Sequence, residues 1–283
     1  MVSRFIRGAW NTYKKNAGQI IGAQIVYVLA VLAIVIVSFI PLVAAGAKTI
    51  FDGAYTSQDI MNLSGPFAVF FLGMVLAVIA AIAIDTGRIS IYADAMAGRE
   101  VRVENMMRIA KEKLWISLGS AILVTAIVVV VGVAALFLGA ALSAINVLMT
   151  PVIIITAIMA VVLFSLLFSI TKQAIAIGNR PAFVSVEESY NIVKRNYLEF
   201  LLIALTVALI GIFLTFARGL GTIVILFVLK PVADIAYTEF YIEKTKRGAE
   251  KAFAPTKAPK NIAVAPKSKA AKRKAPKKAR RKR

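Results

Sequence analysis

Long apolar runs alternate with short polar connectors along this chain, and Lys and Arg gather in every second connector and at both ends. Runs near Gly22 to Ala45, Pro66 to Ile84, Ile116 to Leu142 and Val147 to Ile170 are each long enough to cross about 30 Å of hydrocarbon as a helix. The stretch from Leu198 to Ile242 is broken at Ala217-Arg218-Gly219 and again at Lys230-Pro231. Two crossings that turn at Arg218 return the chain to the side of its N-terminus, whereas a single crossing exports a very basic tail against the positive-inside bias. The pattern predicts an all-α, polytopic membrane protein with six transmembrane helices.

The cations give the orientation. Four lie at the N-terminus, six between Arg88 and Lys113, four between Lys172 and Arg195 and eighteen from Lys230 onward; Lys48 and Arg218 alone fall in the other three connectors. That asymmetry places the protein in the cell membrane with both termini cytoplasmic. Arg4, Arg7, Lys14 and Lys15 ahead of an apolar run imitate a secretory signal. The run from Ile20 to Ala45 exceeds the roughly 7 to 15 residues of a signal core, so it reads as a first spanning helix.

A repeat underlies this topology. Trp10-Asn11-Thr12-Tyr13-Lys14-Lys15-Asn16, Met107-Arg108-Ile109-Ala110-Lys111-Glu112-Lys113 and Tyr190-Asn191-Ile192-Val193-Lys194-Arg195-Asn196 each precede an odd-numbered span. In each, a large apolar residue is followed four positions later by Lys, on one helical face. In the third copy Ser185 and Glu188 have capping-box spacing, which predicts a helix start there. The exits match more loosely: Asp85 stands seven residues before Tyr92 and Lys230 seven before Tyr237, with Lys172 and Gly178-Asn179-Arg180-Pro181 in the middle copy. The unit is an entry helix plus a helical hairpin, used three times over about 1–98, 99–182 and 183–248. Duplication kept by packing and interfacial anchoring accounts for it without any ligand.

Through these entry segments, through Gly178-Asn179-Arg180-Pro181 with Ser185 before Glu188, and through Pro231 followed by Tyr237 and Glu239, the chain resembles a broad family of prokaryotic six-helix membrane proteins. That family is related to the membrane domain fused to some glycerophosphodiester phosphodiesterases. The resemblance covers roughly residues 1 to 247 and implies a helical membrane body without chemistry of its own. The phosphodiesterase domain of the fused relatives needs histidines, and this chain has 0 His, so that activity is not implied.

Composition narrows the chemistry further. The 283 residues are 60% hydrophobic with a net charge of +20, and there are 0 Cys. Thiolate, disulfide and imidazole chemistry are therefore excluded. The spans hold no paired acidic motif of the kind general acid and base catalysis uses. The reading is a protein that is not an enzyme and needs no cofactor or metal. Gln24, Thr125, Asn146, Thr156 and Thr206 fit helix-to-helix hydrogen bonding, and the spacings Gly18 to Gly22 and Gly73 to Ala77 to Ala81 fit close helix packing.

Ionisable residues near the spans are the one cue to a site. If the last helix starts at Leu220, Lys230 falls near its middle with Asp234 one turn on. An uncompensated charge there costs about 2.5–3.5 kcal/mol. Pairing of Lys230 with Asp234 offsets that cost locally, and Pro231 kinks the helix and frees a carbonyl. Asp85 and Lys172, at the matching exits, reach the same zone, so Asp85, Lys172, Lys230 and Asp234 form a candidate intramembrane charge cluster. The alternative puts all four at headgroup level, because Asp85 and Lys172 both follow complete spanning lengths.

From 249 to 283 the composition turns to Ala, Pro, Lys and Arg. Such a segment buries too little apolar surface to offset its chain entropy, which predicts a disordered cytoplasmic tail. Lys257-Ala258-Pro259-Lys260 resembles the tails of linker histones in composition. Lys267, Lys269, Lys272, Arg273, Lys274, Lys277, Lys278, Arg280, Arg281, Lys282 and Arg283 make a polyanion-binding segment. Its partner is anionic membrane lipid, nucleic acid or the ribosome. Two functions remain in contention: a scaffold or anchor acting through the tail, and a transporter or channel acting through the charge cluster. Oligomeric state and any small-molecule substrate stay open.

Overall fold

The computed structural model describes residues 2–51, 57–143 and 150–245. Among them every regular element is a helix: α1 (Val2–Lys15), α2 (Ala17–Phe51), α3 (Ser57–Met96), α4 (Val103–Ser143), α5 (Thr150–Ser165), α6 (Thr171–Ala176), α7 (Ala182–Arg195), α8 (Tyr197–Thr215), α9 (Arg218–Val224) and α10 (Lys230–Lys244). A 3-10 turn, Leu166–Phe168, separates α5 from α6, and a π turn, Ile225–Leu229, joins α9 to α10. Among the described residues six stretches are long and apolar enough to cross a membrane: Ala17–Ala45, Ser64–Met96, Val103–Ala141, Thr150–Ala176, Tyr197–Thr215 and Gly219–Lys244. The protein is an integral membrane protein with several crossings.

Burial is concentrated at one end of the bundle, here termed the base, where α1, the close of α3, the opening of α4, α6, α7 and α10 meet. The core there includes Phe5, Tyr13, Ile20, Ile91, Tyr92, Met106, Ile170, Val193, Phe200, Ile235, Phe240 and Tyr241. Away from the base the helices form pairs, α2 with α3, α4 with α5 and α8 with α9. Their outer halves expose Phe71, Phe137, Leu138, Ile155, Phe213 and Phe216. Lipid tails are as apolar as these side chains, so packing them together gains little. The mixed residues of the base do gain, and they hold the fold.

The entry segments lie in this base. Their buried positions keep one register: Ala9 and Tyr13 in α1, Met106 and Ala110 in α4, Ser189 and Val193 in α7. The apolar residue and the Lys sit together on the outward side in two of them. Lys14 lies 5.7 Å from the Trp10 ring and Lys194 lies 5.2 Å from the Tyr190 ring, within cation–π reach.

Two junctions break in the same way. Asn16 donates from Nδ2 to the Thr12 carbonyl at 3.0 Å, and Asn196 donates from Nδ2 to the Ile192 carbonyl at 2.9 Å. Such local bonds compete with the helix. In the middle segment Lys113 occupies that position and has no such amide. There the entry segment and the span run on as one helix, α4, rather than as the separate entry helix the sequence pattern predicts.

Other expectations need correction. The predicted capping box does not form: α7 begins at Ala182 with Pro181 as its N-cap and without a side-chain cap. Ser185 is already helical and donates to the Pro181 carbonyl at 2.9 Å. Pro181 supplies the stop, since its fixed φ and extended ψ set up the first turn. Gly18 and Gly22 face open space rather than a neighbouring helix, whereas Gly73 meets Ser38 so closely that an added Cβ would overlap its side chain. Thr156 and Thr206 bond to their own helix, to the carbonyls of Val152 and Leu202 at 2.8 and 2.7 Å. Asn146 lies outside the described residues.

Candidate functional site

α2, α3, α6 and α10 converge where the spans enter the base, and the four predicted charges meet there. Asp85 of α3 is the centre. It pairs with Lys172 of α6 and with Arg88 one turn further along α3, and Lys230 stands 3.5 Å away. Asp234 of α10 faces Arg88 at 3.4 Å. The expected local pair of Lys230 with Asp234 is therefore replaced by tertiary pairs, Lys230 with Asp85 and Asp234 with Arg88. Arg88 lies between the two acids and offers a fork of donors that a single ammonium lacks.

Arg88 is the residue that sequence reasoning missed. It reads as one more connector cation, yet its side chain is only 1% exposed. Besides Asp85 it donates to Oε1 of Gln24 on α2, itself fully buried. The Tyr27 ring closes the site: the Arg88 guanidinium lies 4.5 Å from its centroid and the Lys230 ammonium 5.2 Å. Spacing held a clue, because Arg88 follows Asp85 by three positions and so shares its helical face. Nothing in the sequence linked either residue to Gln24 and Tyr27.

Pro231 positions the α10 side of the site. Proline has no N–H for the carbonyl four residues back, which here is Phe227, in the π turn. Tyr13 of α1 donates its hydroxyl to that carbonyl at 3.0 Å. The carbonyl that Pro231 cannot serve at helical spacing is thus bonded by another element. Burial pushes the Tyr13 hydroxyl above its ordinary pKa, keeping it a donor.

A second polar group lies in the base. Arg180 donates to Glu188 at 2.9 Å, Tyr241 donates to the other Glu188 oxygen at 3.0 Å, and Lys113 donates to Asn179. Asn179 adopts a left-handed φ of 54°. Gly178 lets the turn approach Tyr241, where a Cβ would meet the phenol oxygen. An open cleft of about 430 Å³ beside it is lined by Arg180, Glu187, Asn191, Arg195 and Lys244. The Gly178-Asn179-Arg180-Pro181 motif acts here as a latch between α6, α7 and α10.

The tail cations from Lys267 to Arg283 lie outside the described residues. Comparison of the chain with protein-family models, with curated proteins and with solved structures gives no match.

Proposed function

We propose that the protein is a non-enzymatic membrane anchor whose body fixes a basic cytoplasmic tail at the membrane surface, where it recruits a polyanion. The observation that carries this reading is the run of charge at the end of the chain: eleven Lys and Arg between Lys267 and Arg283, with no Asp or Glu among them. Neutralising several phosphates gives affinity independent of base sequence and steeply dependent on salt. Without interleaved aromatics the tail has no stacking platform, so the partner is read by charge alone. Ribosomal RNA and DNA fit a segment of about 35 residues that reaches well beyond the headgroups, and anionic lipid is the competing surface.

Orientation follows from the cations. The base carries the Lys-rich and Arg-rich connectors, so it faces the cytoplasm. The shared register of the buried pairs Ala9 and Tyr13, Met106 and Ala110, Ser189 and Val193 supports a threefold repeat. So do the matching junctions at Asn16 and Asn196. A repeated helical body is what the resemblance to the phosphodiesterase-associated membrane domains implies.

Deleting residues 249–283 tests the anchor. The truncated protein should insert normally yet lose co-sedimentation with ribosomes or DNA, and the intact protein should lose it as salt rises. Co-sedimentation that survives the deletion rules the tail out. A reporter fused after Arg283 should be cytoplasmic.

A second reading, transport through the bundle, is favoured by one observation: Asp85, Lys172, Lys230 and Asp234 converge around Arg88 inside the spanning segments. Solute flux that needs Arg88 but not the tail would select it.

A further inference from the structure

The charge knot does not balance. Arg88, Lys172 and Lys230 set three cations against two carboxylates, Asp85 and Asp234. One positive charge is left over, at a place where spanning helices surround it. Its hydrogen bonds do not close either. Nε of Arg88 and Nε2 of Gln24 are buried donors without an acceptor. The two are neighbours, because Arg88 already donates to the Oε1 of that same Gln24 amide, which fixes which end of the amide is the donor. An excess of one cation and of two N–H groups is the complement of a monoanion with several oxygens.

Access and surroundings define the anion. The side chains of Lys172 and Lys230 are 50% and 37% exposed while Arg88 is sealed, so these two ammoniums are the rim of the knot that an anion meets first. The spans that carry Asp85, Lys172 and Lys230 also expose apolar side chains: Val78 on α3, Ile158 and Val162 on α5, and Ile223 and Val224 on α9. Lys172 and Lys230 themselves lie within spanning segments, where the surrounding medium is lipid rather than an aqueous ion solution. A molecule with an anionic head and hydrocarbon chains covers both parts.

We propose that the Asp85–Arg88–Lys172–Lys230–Asp234 knot is the seat of the phosphate of an anionic phospholipid. Lys172 and Lys230 hold the phosphate at the rim, with the Arg88–Gln24 donors behind it, and the acyl chains lie along the exposed apolar faces of α3, α5 and α9. A phosphodiester carries the single negative charge that the knot lacks. A choline headgroup brings its own cation and cancels that match. The proposal rests on the membrane reading of the fold and is independent of the tail.

The test uses the full-length protein in a neutral detergent at 0.5 M NaCl, where screening weakens tail contacts. Dioleoyl phosphatidylglycerol, dioleoyl phosphatidylcholine and inorganic phosphate are titrated in turn. Native mass spectrometry counts retained lipid, and the melting temperature reports binding to the folded state. The wild type should retain one phosphatidylglycerol per chain and melt at higher temperature with it. Lys172→Gln with Lys230→Gln should weaken that binding tenfold or more, while Lys277→Gln with Lys278→Gln should leave it unchanged. Gln24→Leu, which keeps every charge, should also weaken it and serves if the double lysine variant does not fold. The proposal is overturned by equal retention of phosphatidylcholine, by an equal melting shift with inorganic phosphate, or by wild-type affinity in the rim and Gln24 variants. Loss of binding in the tail variant alone overturns it as well and assigns the lipid to the tail.

Discussion

The hydroxyl of Tyr13 donates to the carbonyl of Phe227, 3.0 Å away and 214 residues later in the chain. Pro231 has no N–H to offer the carbonyl four residues back, and the π turn Ile225–Leu229 precedes the proline. The first helix of the chain thereby completes the last one. Phe5 packs against Phe240 in a tilted arrangement with ring centroids 5.8 Å apart in the same interface, and Arg4 pairs with Glu243.

Tyr13→Phe should cost about 1–3 kcal/mol, the range for leaving a buried acceptor unsatisfied. Pro231→Ala restores a backbone N–H near Phe227, so Tyr13→Phe should cost less in that background. Thermal unfolding in detergent, followed by the fluorescence of Trp10 and Trp115, measures the cycle. Additive losses would show that the phenol does not serve this carbonyl.

Alkaline pH should separate the same variant. Because the folded protein holds the Tyr13 proton more tightly than the unfolded chain, its contribution is complete below the ordinary tyrosine range. It is lost as pH rises through the higher folded value. Tyr13→Phe should therefore flatten the alkaline limb of a stability profile, and an unchanged limb would contradict the burial of this hydroxyl.

Arg88→Met should cost about 3–5 kcal/mol, since it leaves Asp85, Asp234 and Gln24 facing a hydrocarbon side chain. Arg88→Lys should recover only part, because one ammonium cannot span two acids and an amide. Melting temperature of the detergent-solubilised variants decides between these outcomes; equal stability of lysine and arginine at this position would remove the fork from the account.

Gly73→Ala should destabilise by about 1–3 kcal/mol through overpacking against Ser38, and Ser38→Gly should restore it. Gly22→Ala is the control. With no neighbour within 4 Å it should stabilise α2 by about 0.5–1 kcal/mol through helix propensity. Loss of stability at Gly22 would indicate a helix contact that the structure does not contain.

At Asn179, with φ 54°, a β-branched residue is strained. Asn179→Val should cost about 1–3 kcal/mol. Asn179→Gly trades the bond from Lys113 for an easier backbone and should stay within about 1 kcal/mol. Hydrogen exchange of the 177–180 amides reports whether the latch loosens.

The sequence by itself determined the class of the protein. Apolar runs of spanning length need no partner to declare themselves, because lipid acts on each helix separately. Four of the five charges of the knot were also legible, since Asp85, Lys172 and Lys230 stand at corresponding exits of the repeat and Asp234 lies one turn beyond Lys230. Only the tertiary structure decided which residues complete them. Arg88 counts as one more connector cation until α2 brings Gln24 and Tyr27 beside it. Lys230 and Asp234 read as a pair by spacing until Asp85 and Arg88 offer each a tertiary partner. Periodicity and charge act along one helix, whereas the partner of a buried charge is set by which helices meet, and that is a property of the packed base.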